Sequence, residues 1–134
     1  RGEPMSPPEI SAAQFDAWLR AYKSAWEGRD PAAAAKLFSA DARYHWTPLV
    51  PPQQGPAEIA AAWANAVGHQ RDIRFSFEIF GTAGASGMAR WRADFTRQPA
   101  GAKVRIEGVL LAEFADPQHC RLFREWWHME ETPA

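Results

Sequence analysis

The sequence predicts an α+β domain, and three observations carry that reading. Apolar residues recur at helical spacing through the first half of the chain. From Asp72 onward the period changes to two, and the runs of period two are separated by short turns rich in Gly, Pro and Asp. The order is α-α-β-α-β-β-β-β, a strand meander backed by helices. At 134 residues the chain suits one domain with a real core. Its expected bounds are residues 9–131. Residues 1–8 are expected to be disordered or a foreign remnant, with Arg1 to Pro4 preceding a natural start at Met5.

Ser11 and Gln14 form a capping-box pattern, after which Phe15, Trp18, Leu19, Tyr22 and Trp26 share one helical face. Gly28 is expected to end that helix as its C′ residue. Asp30-Pro31 opens a second helix, expected to run through Leu37 and Phe38. Residues 41–46 alternate as a short strand, with Ala42, Tyr44 and Trp46 on one side. Pro48, Pro51, Pro52 and Gly55 predict a loop. Pro56 then starts a third helix with Ile59, Trp63, Ala66 and Val67 on its apolar face, stopped by Gly68. Four strands follow, at 73–83, 88–98, 102–115 and 120–130.

Charge is nearly balanced, 15 basic against 16 acidic residues, so no nucleic-acid or anionic-membrane footprint is expected. No run approaches a membrane span or a secretory leader. The single Cys120 fits a reducing, cytoplasmic setting. The four histidines are scattered and no Cys/His cluster has metal spacing, so neither metal nor cofactor is expected. Seven tryptophans either fill a large core or line a cavity.

Charge also tests the register of the meander. Pairing Gln98 with Gly101 sets Arg92 opposite Glu107 and Asp94 opposite Arg105, both of them opposite-charge pairs. Carried through the Asp116 turn, the same register sets Glu107 opposite His128, Gly108 opposite Trp127 and Leu110 opposite Glu125. Glu78 is expected beside Arg92. One face is then apolar from Ile73 to Met129, with Glu125 as its only charge. The other carries a polar row, Glu78, Arg92, Glu107 and His128. Beside that row lies an apolar zone of Phe80, Val109, Leu111, Leu122 and Trp126, expected to be a homodimer interface.

These pieces, in this order, resemble the nuclear-transport-factor-2-like superfamily and, within it, the SnoaL-like polyketide cyclase relatives. The resemblance rests on five pieces of the chain. These are the aromatic first helix ending in Trp26-Glu-Gly28-Arg-Asp30, the stretch Leu37-Phe38-Ser-Ala-Asp41-Ala, and Pro48 to Gly55 leading into Ile59 and Trp63. The last two are Gly108-Val and the Arg124-Glu125-Trp126-Trp127 strand. It implies a cone-shaped α+β barrel, with a bent, mostly antiparallel sheet wrapped around three helices and a pocket at the wide end. It also implies that the first strand lies near the last, bringing Tyr44, His45 or Trp46 toward Glu125. Enzymatic relatives place an acid on the last strand, and Glu125 occupies a matching position. Arg92-Ala-Asp94 has the spacing of a pair in epoxide-hydrolase relatives, but the register puts both on the outer face. The tyrosine and paired aspartates of the isomerases have no clear counterparts.

An acid on an apolar face resists ionisation, which suits a general acid or base for enolisation, ring closure or water addition. Such an acid can equally sit in a structural pair, with Arg43 or His45 as partner. The expected catalytic residues are Glu125 and Tyr44. The expected ligand-binding residues are Trp18, Tyr22, Trp46, Trp63, Phe77, Trp91 and Trp127, around an apolar or aromatic small molecule. Two functions follow: a cofactor-free isomerase, lyase or cyclase, or a non-catalytic binding or dimerisation module with a filled cavity.

Overall fold

The structure is a computed structural model that describes residues 9–134; the expectations for residues 1–8 lie outside the described residues. Helix α1 (Ala12–Glu27) begins at Ser11. The Ser11 hydroxyl accepts the Gln14 N–H at 3.1 Å, and the Gln14 side chain accepts the Ser11 N–H at 2.9 Å. The helix buries Phe15, Trp18, Leu19, Tyr22, Ala25 and Trp26. Its end differs from expectation. Gly28 is right-handed, and the left-handed turn falls on Arg29 at φ 53°. Crowding explains the glycine, since a Cβ there would lie 2.9 Å from the Ser24 carbonyl.

Helix α2 (Pro31–Ala35) is capped by the Asp30 carboxylate on the Ala33 N–H, and it is shorter than expected. Leu37 and Phe38 leave the helix. Phe38 starts β1 (Phe38–His45), and the Leu37 carbonyl accepts the Cys120 N–H at 2.9 Å. A bond to a distant strand thereby outweighs the helical spacing of two apolar residues. The proline-rich segment holds a two-residue strand, β2 (Gln53–Gln54), paired with Arg43 and Tyr44. Helix α3 (Gly55–Val67) buries Ile59, Trp63 and Val67, and Glu58 accepts the Gln54 N–H at 2.8 Å across its first turn.

Strands β3 (Gln70–Ala83), β4 (Ser86–Arg97), β5 (Ala102–Asp116) and β6 (His119–Thr132) form the meander. The six-stranded sheet has the order β2-β1-β6-β5-β4-β3 and is not closed. All its pairings are antiparallel except β1 with β6, which sets Tyr44 beside Phe123 and His45 beside Arg124. The fold is therefore the expected bent, mostly antiparallel α+β sheet packed on helices.

The register from β4 to β6 matches expectation at Arg92–Glu107, Asp94–Arg105, Glu107–His128, Gly108–Trp127 and Leu110–Glu125. Between β3 and β4 it does not, because Glu78 faces Arg90 and Ser76 faces Arg92. The turn is tight, pairing Ala83 with Ser86, and an irregularity between Ile79 and Gly81 slips the ladder once more. Arg90 consequently joins the outer row, reaching Glu107 at 2.9 Å and Glu78 at 3.8 Å.

Candidate functional site

Helices α1 and α3 lie over the inner face of the sheet without filling it. At one end the aromatics pack tightly: the Trp18 ring lies 5.3 Å from Phe114, 5.7 Å from Phe38 and 5.9 Å from Phe123. At the other end a cavity of about 200 Å³ remains. Its walls come from Tyr22 and Trp26 of α1, Trp63, Ala66 and Val67 of α3, and Trp46 after β1. The sheet contributes Gln70, Trp91, Phe95, Arg97, Ile106, Glu125, Trp127 and Met129.

Glu125 is 4 % exposed and is the single buried acid among the described residues. Strand alternation puts it there, since its neighbours Arg124 and Trp126 point outward. No hydrogen bond or ion pair reaches its carboxyl among the described residues. Burial alone pushes its pKa well above the ordinary carboxylate value. The side-chain polar atoms that are both sealed and unpartnered belong to Gln53, Trp63, Trp91, Arg92 and Arg124. The unpartnered Glu125 oxygens are not among them, so they retain contact with the cavity. Neither Arg43 nor His45 pairs with this acid; both are on β1, and His45 sits beside Arg124 on the neighbouring strand.

Two tyrosines back the acid. The Tyr22 and Tyr44 hydroxyls are hydrogen-bonded at 2.7 Å. Burial and, next, the proximity of Glu125 push both phenols well above their ordinary pKa, so both stay neutral. The Trp63 indole N–H is close enough to favour Tyr44 ionisation slightly, yet it misses hydrogen-bond geometry and stays without an acceptor. Tyr22 reaches the cavity, whereas Tyr44 lies behind it, stacked on Phe123 at 4.7 Å.

The indoles offer ring surface more than donors. Trp26 donates to Gln70 at 2.8 Å and Trp127 donates to the Trp46 carbonyl at 2.7 Å. The nitrogens of Trp63 and Trp91 are sealed in the core. The rings are turned across one another: Trp26 makes 67° with Trp63 and 58° with Trp91, and Tyr22 makes 89° with Trp63. Such angles build the walls of a box rather than a stack.

Of the residues expected here, Glu125, Tyr22, Trp46, Trp63, Trp91 and Trp127 converge on the cavity, while Trp18, Tyr44 and Phe77 do not line it. Trp18 is consumed by the packed end, its N–H on the Leu37 carbonyl at 3.0 Å. Phe77, opposite Trp91 on β3, is half-buried against Phe75. The sequence places Trp26 on the apolar face of the first helix and Phe95 and Met129 on the inner face of the sheet, without assigning any of them to a site, and singles out neither Gln70 nor Arg97. Trp26 was findable, because it stands one helical turn beyond Tyr22 on the same face. Gln70 and Arg97 sit at strand ends, where alternation carries little information. Cys120 is buried, and burial raises its thiol pKa far above the ordinary value, leaving it inert. Among the described residues no His, Cys, Asp and Glu cluster is suited to a metal ion.

Solved structures share this architecture. A Δ5-3-ketosteroid isomerase from Mycobacterium sp. superposes with a TM-score of 0.76 at 18% identity, covering 89% of this chain and 98% of its own. An epoxide hydrolase/cyclase-like enzyme of pyran ring formation in the polyether salinomycin gives 0.75 at 16% identity, with 87% and 92% covered. A hypothetical protein of ketosteroid isomerase-like fold from Catenulispora acidiphila, in complex with trimethylamine, gives 0.72 at 16% identity, with 81% and 83% covered. At such identities the likeness is one of fold. No curated protein matches the chain. A SnoaL-like domain is matched over residues 19–122, a span that holds most of the core, begins just after Trp18 and stops three residues short of Glu125. On that match the chain belongs to the SnoaL-like domain family.

Proposed function

We propose that this protein binds a small molecule in the cavity and acts on it as a cofactor-free isomerase, lyase or cyclase, with Glu125 as the acid/base. The observation that supports this reading is the unpaired, buried carboxyl, its pKa raised by burial, open to a largely aromatic space. A structural acid of this burial would be expected to carry a partner, because leaving one uncompensated costs several kcal/mol as an order of magnitude. A pKa raised by burial favours the protonated form, whose proton can be given to a carbonyl or leaving oxygen and taken back. Tyr22 orients the guest, and Tyr44 fixes Tyr22. Cavity size limits the guest. A cavity of roughly 150 Å³ holds benzene, and drug-sized ligands occupy roughly 300–1,000 Å³. At about 200 Å³ this site suits one substituted ring within its walls.

Tryptophan fluorescence tests the reading directly, since five indoles line the cavity. Small aromatic ketones should quench it saturably, and Glu125→Gln should abolish any proton transfer to or from them while leaving quenching in place. Absence of saturable quenching by any such compound would remove the reading.

Two finer expectations belong to the same proposal. Phe80, Met88 and Trp126 are 56%, 43% and 42% exposed on the outer sheet face, where a second copy of the chain would cover them. Sedimentation should show a dimer that Trp126→Glu dissociates. No helix is long and apolar enough to cross a membrane among the described residues, and the free thiol of Cys120 is in keeping with a cytoplasmic location.

A further inference from the structure

We propose that the guest is a small amine with apolar substituents, held as an ammonium ion against Glu125 inside the box of tryptophan rings. The proposal rests on the reading of the cavity as a guest site and adds the charge of the guest. Its ground is what the walls offer. Trp26, Trp46, Trp63, Trp91 and Trp127 line the space, yet four of those five indole N–H groups are either bonded within the protein or sealed from it. An anionic guest would therefore find few indole donors. What faces the guest is mostly aromatic and aliphatic surface, with Glu125 as its one acid and Tyr22, Gln70 and Arg97 as its other polar groups. Ring faces carry negative electrostatic potential and attract alkylammonium ions, whose methyl groups also match an apolar wall.

The other charged or titratable groups around the acid agree with this. From α1 and β1, Tyr22 and Tyr44 are neutral phenols bonded to each other. From β4, Arg97 is the one basic residue in the wall, and its guanidinium is drawn aside by Glu131 at 3.2 Å and the Phe95 ring at 5.6 Å. α3 contributes Trp63, Ala66 and Val67, none of them titratable. Apart from Arg97, whose charge is engaged by Glu131, no wall residue opposes a cation, and Glu125 lacks a partner among the described residues.

Proton bookkeeping distinguishes two kinds of amine. A neutral tertiary amine takes the Glu125 proton: the carboxyl O–H bond breaks, an N–H bond forms, and the cavity remains neutral overall. A quaternary ammonium cannot accept a proton, so its entry must release the carboxyl proton to solvent. Its affinity therefore rises with pH until Glu125 ionises in the empty protein.

The experiment compares choline with its neutral carbon isostere 3,3-dimethylbutan-1-ol, by tryptophan fluorescence and by calorimetry in two buffers of different ionisation enthalpy. The expected result is at least tenfold tighter binding of choline, proton release on binding, and affinity that rises with pH above the ordinary carboxylate range. Glu125→Gln should abolish the preference for choline and the proton release. Trp46→Leu, at the half-buried rim, should weaken choline severalfold more than the alcohol. Equal or tighter binding of the alcohol by the unaltered protein would overturn the cationic guest and leave the pocket reading intact. If choline fails to bind while aromatic ketones quench saturably, the cationic guest is likewise overturned. If neither amine, alcohol nor ketone binds, both readings fall.

Discussion

Glu125 and Glu107 lie on adjacent strands, three residue pairs apart along one ladder, and have opposite fates. Glu107 points outward, half-exposed, and accepts Arg90 at 2.9 Å. Glu125 points inward among tryptophans with no partner among the described residues. On the outer face Asp94 and Glu113 are also paired, with Arg105 at 3.5 Å and Arg121 at 2.6 Å. Water and a nearby arginine make an outer carboxylate inexpensive, whereas the inner one costs stability and gains nothing from its surroundings. Under the proposed function, that uncompensated cost is the reason Glu125 is available to what enters the cavity.

The largest effect should come from the inner acid itself. Its folded pKa is raised, so between the unfolded and the folded pKa the native state holds a proton that the unfolded chain has lost. Stability is therefore unaffected below about pH 4.5, the ordinary value, and falls as pH rises toward the folded pKa, by ~1.4 kcal/mol per pH unit. Glu125→Gln should flatten this slope and be the more stable protein at pH 8. Urea denaturation at pH 5 and pH 8 measures both. Parallel pH slopes for the two proteins would mean that the acid has a partner or water after all.

Next in size is the position that lets the inner face close. Gly108 pairs with Trp91 on one side and Trp127 on the other. A Cβ there would collide with the Trp126 carbonyl and lie 2.7 Å from the Trp127 Cβ. Gly108→Ala must push β6 outward, and overpacking of this kind costs about 1–3 kcal/mol. Because Trp127 and Glu125 move with β6, the cavity should lose its guests as well. A substitution that left both thermal midpoint and quenching unchanged would show that the strand is not fixed there.

Much of this contrast between faces is legible in the sequence. Arg92, Asp94, Arg105 and Glu107 pair only in the correct register, and that register fixes which way Glu125 points. Between β3 and β4 charge is ambiguous, because Glu78 meets an arginine whether Arg90 or Arg92 stands opposite, so the irregularity beyond Ile79 goes unseen and Arg90 is missed. The cavity's roster is less legible still. Trp18, Tyr22 and Trp26 form one stripe on α1, and periodicity treats them alike. Only the placement of α1 against the sheet puts Trp18 among Phe38, Phe114 and Phe123 and leaves Trp26 over open space. Leu37 and Phe38 likewise read as helix, because the Cys120 N–H that claims the Leu37 carbonyl lies 83 residues along the chain.

The tyrosine pair is a smaller test of the inner face. Tyr22→Phe removes one partner of a buried 2.7 Å bond and strands the Tyr44 hydroxyl. A loss of about 1–2 kcal/mol is expected. Tyr44→Phe should cost as much in stability but less in guest affinity, because Tyr44 stands behind the wall and Tyr22 forms part of it. Equal losses of affinity would mean that the two hydroxyls act as one unit.

The smallest effect belongs to the outer acid. Glu107→Gln breaks an ion pair in which both side chains are about half exposed, 48% for Arg90 and 47% for Glu107. Solvent screens such a pair, and measured values fall at roughly 0.2–1 kcal/mol, shrinking further with salt. Arg90 retains Glu78 at 3.8 Å as a second partner, which lowers the expected loss again. The variant should keep the pH slope assigned to Glu125, because nothing inside the cavity changes. A loss beyond about 1 kcal/mol, or one that persists in 1 M salt, would indicate that water does not reach this face. Such persistence together with a sedimenting dimer would place the Arg90–Glu107 pair beneath a second copy of the chain.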